Sequence, residues 1–145
     1  MDQIELQLQK EEQRRAQIAL EIVVGGLVLL VDDDPTIRAL AKRILERLGF
    51  CVLEAKDGIE AMELFRQHRN TIRFVMCDLV MPRMDGWETL RALRQLAPDI
   101  PVILTSGCDL TRAHAGSSRQ PHSFLPKPYG SQGLREMVRQ VLGTS

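Results

Sequence analysis

Five residues of this 145-residue chain are of the types that hold a metal ion and move a phosphoryl group. Asp32 and Asp33 follow the apolar run Leu27-Val28-Leu29-Leu30-Val31. Asp78 follows Ile72-Arg73-Phe74-Val75-Met76-Cys77. Thr105 ends the run Ile100-Pro101-Val102-Ile103-Leu104, and Lys127 comes just after Ser123-Phe124-Leu125. Carboxylates at the end of a buried strand are costly unless a cation compensates them. Mg²⁺, a hard ion bound by oxygen, is the natural counter-charge. Three carboxylates, a hydroxyl and an ammonium suit a divalent metal beside a transferable phosphoryl group. One carboxylate would attack phosphorus. The metal, the hydroxyl and the ammonium would stabilise charge on the phosphoryl oxygens. No His or Cys nucleophile has comparable placement, and His68, His114 and His122 lack ligand-like spacing.

Strands and helices must bring these residues together. Leu27 to Val31 has the apolar density of a strand buried on both faces. Asp34-Pro35 is a helix start, an acidic cap followed by Pro in the first turn. Ile37, Leu40, Ala41, Ile44, Leu45 and Leu48 then recur at helical spacing, and Gly49 closes the helix. Phe50 to Ala55 reads as a second strand. Asp57-Gly58 turns into a helix carrying Ala61, Met62, Leu64 and Phe65. Pro82 and Gly86 make a loop of residues 79–86, with Asp85 as a turn residue. A third helix runs to about Ala97. The segment 108–122 has room only for a short or irregular helix. Leu134, Met137, Val138, Val141 and Leu142 mark the last one. Strands alternating with helices five times require a parallel sheet covered on both faces. Right-handed crossovers put every strand C-terminus on one edge, where ligands bind in open α/β sheets.

The totals fit one domain, residues 27–145, behind a charged helical extension or linker, residues 1–26. The hydrophobic fraction of 44% supports a proper core. The 19 basic and 19 acidic residues cancel, so the basic face that nucleic-acid binding needs is not expected. The longest apolar stretch, Ile22 to Val31, spans 10 residues and contains Gly25-Gly26, too short for a membrane span. The first residues are polar, so no signal peptide is read there. Cys51, Cys77 and Cys108 read as buried thiols of a cytoplasmic protein. Residues 1 to about 24 carry Ile4, Leu8, Ile18, Leu20 and Ile22 as a broken stripe. That is a solvated linker helix, or a coiled-coil-like segment that pairs protomers. Trp87 reads as packing or surface cover.

Four segments together resemble the receiver domain of two-component response regulators. They are Leu29 to Pro35, Cys77 to Gly86, Leu104 to Gly107 and Phe124 to Pro128. The resemblance covers roughly residues 27–142. It implies a flavodoxin-like, doubly wound, five-stranded parallel sheet of order 2-1-3-4-5. It implies that Asp78 is the phospho-acceptor, that Asp33 binds Mg²⁺ directly with Asp32 in support, and that the Val80 backbone carbonyl completes the protein's share of the metal shell. Thr105 and Lys127 would hold phosphoryl oxygens. Phe124 stands where the family carries its switch aromatic, though simple core packing is an equal reading. The peptide Lys127-Pro128 would be cis. The implied donor is a sensor histidine kinase or a histidine phosphotransfer protein. The implied role is a signalling module, not an enzyme, with only Mg²⁺-dependent self-phosphorylation and dephosphorylation. The chain is expected to be a stand-alone receiver or the C-terminal receiver of a hybrid histidine kinase, dimerising through its N-terminal helix or the surface of its last helix.

Two rival readings exist. Asp32-x-Asp34-x-Thr36 fits the nucleophile motif of haloacid dehalogenase-type phosphatases, with Asp32 attacking. That family needs a further acidic pair after its lysine, and beyond Lys127 only Glu136 remains. The other is a degenerate receiver that serves only as a docking module.

Overall fold

A computed structural model describes residues 2–107 and 123–143, with residues 14–24 in backbone only. The Leu27–Val31 run forms β1, buried at all five positions. Its side chains alternate as strand geometry demands. Leu27, Leu29 and Val31 enter one core layer with Phe65, Val75 and Leu93. Val28 and Leu30 enter the other with Leu45, Phe74 and Leu134. A strand apolar at every position therefore belongs between two helical layers.

The other elements follow in chain order. Helix α1, Gln3–Gly25, precedes β1. Then come α2, Pro35–Arg47, β2, Cys51–Ala55, α3, Gly58–His68, and β3, Ile72–Asp78. Helix α4, Gly86–Leu96, and strand β4, Val102–Ser106, complete the first stretch; β5, Ser123–Pro126, and α5, Ser131–Leu142, the second. All four strand pairings are parallel, in the order β2-β1-β3-β4-β5. The expected doubly wound order 2-1-3-4-5 is thus the observed one. The segment 108–122, with Cys108, His114 and His122, lies outside the described residues.

Three local expectations are corrected. Strand β4 lies two residues later than read from Ile100 to Leu104. Pro101 has no N–H to give the ladder, so it stands before the strand and only accepts, from Val75 N at 3.0 Å. Asp85 is not merely a turn residue. It is the N-cap of α4, in a capping box with Glu88. Cys77 is a buried thiol as expected, but Cys51 is only half-buried, because β2 is the sheet's edge strand. Asp34 caps α2 as read, accepting from Thr36 N at 2.9 Å and Ile37 N at 3.3 Å. In α1, Ile4, Leu6 and Leu8 are exposed, consistent with a broken apolar stripe.

Candidate functional site

Strand register brings the chemistry together. Val31 pairs with Cys77, so Asp32 and Asp78 leave neighbouring strands side by side. Asp78 pairs with Thr105, and Thr105 with Leu125. Two residues beyond Leu125, the N–H of Lys127 donates to Ser106 O at 2.9 Å, and the Lys127-Pro128 peptide is cis as expected. The Lys127 side chain then reaches back over the strand ends. Its Nζ lies 3.0 Å from Asp32 Oδ2 and 3.3 Å from Asp78 Oδ1.

Carboxylate oxygens of Asp32, Asp33 and Asp78 all lie within 4.8 Å of one another. Asp32 and Asp78 are buried and Asp33 is exposed. The other Asp32 oxygen accepts from Asp34 N at 2.9 Å, which fixes the carboxylate's direction. Arg38 Nη1 donates to Asp32 O at 2.7 Å and anchors the same turn. Thr105 is buried beside Asp78. Val80 is exposed two residues past Asp78. Its neighbour Leu79 donates through N–H to Thr105 O at 2.8 Å.

The electrostatics follow from burial and crowding. Burial first, and the Asp32 carboxylate second, raise the Asp78 pKa above the ordinary aspartate value, while Lys127 opposes the rise. Burial would lower the Lys127 pKa, but Asp32 and Asp78 outweigh it and hold the ammonium charged. Burial, then the two acids, also raise the Tyr129 hydroxyl. Burial dominates a similar rise for the Cys77 thiol, with Asp78 and Asp32 adding to it, which disfavours the thiolate. Three carboxylates with one ammonium, paired to Asp32 and Asp78, leave excess negative charge, in an all-oxygen donor set that fits a hard divalent cation.

Asp57, which the sequence marks only as a turn into a helix, and Arg83 hold the adjacent loop. Asp57 is buried, caps α3 through Glu60 N at 2.9 Å and accepts from Arg83 Nε at 2.9 Å. Arg83 Nη2 pairs with the same carboxylate oxygen. Arg83 has φ 65°, a region unusual for a side chain of its kind, and centres a γ-turn closed by Met84 N on Pro82 O at 2.7 Å. Met84 O in turn accepts from Gly58 N at 3.4 Å. The Asp57-Gly58 pair signalled a turn, but nothing in the residue types pointed to an arginine 26 positions away. Phe124 is half-buried, its ring 6.1 Å from that of Trp87 in an edge contact. Trp87 is thus packing, as read.

The comparisons agree with this geometry. The family model of the response regulator receiver domain matches residues 28–139. The sensor kinase CckA of Brucella abortus (strain 2308) is 33% identical over 132 residues, 90% of this chain and 14% of CckA. The response regulator MprA of Mycobacterium sp. (strain KMS) is 35% identical over 116 residues, 79% of this chain and 50% of MprA. The chain therefore spans half or less of these curated relatives. Among solved structures, the response regulator protein TrrA of Thermotoga maritima, in complex with Mg²⁺-BeF, matches with a TM-score of 0.72 and 29% identity. That match covers 81% of this chain and 99% of TrrA's. The chain belongs to the response regulator receiver domain family, the phosphoryl-accepting modules of two-component signalling.

Proposed function

We propose that Asp78 is the residue that takes the phosphoryl group, from a phosphohistidine on a sensor histidine kinase or histidine phosphotransfer protein. The observation that carries this reading is the meeting of three carboxylates within 4.8 Å, with one ammonium on two of them. An Asp78 carboxylate oxygen forms the new O–P bond as the N–P bond of the phosphohistidine breaks. The electron pair returns to the imidazole nitrogen, which takes up a proton. Lys127, already 3.3 Å from Asp78, pairs with a phosphoryl oxygen, and the Thr105 hydroxyl donates to another. Asp32, Asp33, Asp78 and the Val80 backbone carbonyl would hold Mg²⁺. When bound, the ion offsets the crowded carboxylates and draws charge from the phosphoryl oxygens. The module catalyses no turnover beyond its own phosphorylation and dephosphorylation.

The phosphatase alternative needs Asp34 in the site, and Asp34 is engaged at the start of α2. Phe124 and Thr105 form the proposed switch: the Thr105 hydroxyl follows the phosphoryl group, and Phe124 repacks against Trp87. The proposed setting is cytoplasmic, in a stand-alone receiver or a hybrid kinase, with no nucleic-acid or membrane contact by this segment. Among the described residues no helix is long and apolar enough to cross a membrane.

The test is incubation with a small acyl-phosphate donor and Mg²⁺, read by intact mass. Wild type gains one phosphoryl mass, and Asp78→Asn gains none. A wild type that gains nothing would leave only the docking-module reading.

A further inference from the structure

The edge of the sheet opposite Asp78 carries a groove of about 410 Å³ with no role in phosphoryl transfer. Phe50 and Val138 line it, and Arg47, Arg73, Arg135 and Arg139 surround them. Among the described residues none of these four arginines forms an ion pair. Four positive charges around an apolar floor call for an occupant that is both acidic and apolar.

The chain itself contains such a segment. In α1, Ile4 and Leu8 are exposed and stand four positions apart, on one helix face. Helical spacing sets Glu5, Glu11 and Glu12 around that pair. Residues 2–12 carry the acids Asp2, Glu5, Glu11 and Glu12 against one base, Lys10. The helix ends at the groove's rim, where Arg73 Nη1 donates to Gly25 O at 3.4 Å and the Arg73 guanidinium lies over the Phe50 ring. At about 1.5 Å per residue, Glu12 is already about 20 Å along the helix from Gly25. A continuous helix therefore carries its acidic half away from its own groove and toward another molecule's.

We propose that the acidic half of α1 seats in the arginine-rimmed groove of a second copy of this chain, reciprocally, in a two-fold dimer. Ile4 and Leu8 cover the half-buried Leu48, Phe50 and Leu142, and Glu5, Glu11 and Glu12 meet the arginines. Such a contact is isologous, so it closes at two copies. It leaves Asp78 uncovered and does not depend on the phosphoryl-transfer reading.

Sedimentation of the full chain over a concentration series tests it. Wild type is expected to dimerise, less so as salt rises. Arg135→Glu with Arg139→Glu should weaken the dimer about tenfold or more, and so should Glu5→Lys with Glu11→Lys and Glu12→Lys. An equimolar mixture of the two variants should dimerise again, because both reciprocal contacts regain opposite charges. Far-UV circular dichroism checks that each variant folds, and Arg47→Glu with Arg139→Glu replaces the groove variant if it does not. A wild type monomeric at every concentration would overturn the proposal. So would a dimer indifferent to the groove variants, as a simple α1–α1 coiled coil would be, or a mixture that stays monomeric.

Discussion

The ammonium of Lys127 stands 3.3 Å from the Asp78 carboxylate. The same ammonium is only 3.0 Å from Asp32, so it is shared, and the cluster keeps more negative than positive charge. Burial and Asp32 together raise the Asp78 pKa. The folded chain thus holds that proton more tightly than the unfolded chain does. Its contribution to stability is favourable at low pH and is lost as pH rises through the folded-state value. At neutral pH with chelator present, Asp78→Asn should melt a few degrees above wild type. Saturating Mg²⁺ should raise wild type and narrow the gap, since a ligand that binds only the folded state stabilises it. Melting curves with and without Mg²⁺ check this. A less stable Asp78→Asn in chelator would contradict it.

Asp57 has the opposite sign. Burial alone would raise its pKa, but the Glu60 N–H and Arg83 outweigh that and hold it below the ordinary value of 3.8. Its stabilisation is complete above that value and is lost as pH falls through the lower folded-state value. Asp57→Asn should cost about 1–3 kcal/mol near neutral pH, through a weakened cap and an arginine deprived of its partner. Urea unfolding at descending pH should show the difference between the two proteins shrinking below pH 3.8.

Gly86 touches the acceptor strand's end. A Cβ there would lie 2.6 Å from Asp78 O and 2.7 Å from Leu79 Cα, both backbone atoms. Gly86 N also donates to Leu79 O at 2.8 Å. Gly86→Ala should therefore cost about 1–3 kcal/mol of stability. It should also weaken Mg²⁺ binding by displacing the backbone next to Asp78. Chemical denaturation and a Mg²⁺ titration measure the two effects.

An apolar patch flanks the site. Ile37, Leu40, Pro128 and Tyr129 line a cavity of about 320 Å³ together with Lys127, and Leu40 is 54% exposed. If a protein donor docks beside Lys127 it covers this patch, whereas a small acyl phosphate need not. Leu40→Asp should slow transfer from a phosphohistidine protein about tenfold or more, and leave phosphorylation by the small donor unchanged. Equal loss with both donors would mean that the patch supports the site and not the partner.

How much of the fold and site is legible in the sequence varies with the kind of signal. The apolar density of Leu27 to Val31 marks a strand between two helical layers, and alternation with helices makes the sheet parallel; the order 2-1-3-4-5 rests on the receiver resemblance. Asp34 was readable as a cap because a helix needs an acceptor at that place and Pro35 follows. The start of β4 is not legible, because apolar character begins at Ile100 and Pro101, while the ladder waits for residues with a free N–H. At Asp85 a turn before Gly86 and a helix cap look alike in sequence, and the answering Glu88 side chain decides for the cap. The Asp57–Arg83 pair left no local trace. It joins two loops from different crossovers, and the positive φ of Arg83 falls on a residue type that gives no warning.

The identity of the phosphorylated residue is the most direct measurement. Borohydride reduces an aspartyl phosphate to homoserine, so peptide mass mapping after phosphorylation and reduction reads the position. Homoserine at position 78, with positions 32 and 33 unchanged, is the expected result. Homoserine at position 32, or none at 78 in a protein that has taken up phosphoryl, would contradict the assignment of Asp78 as acceptor.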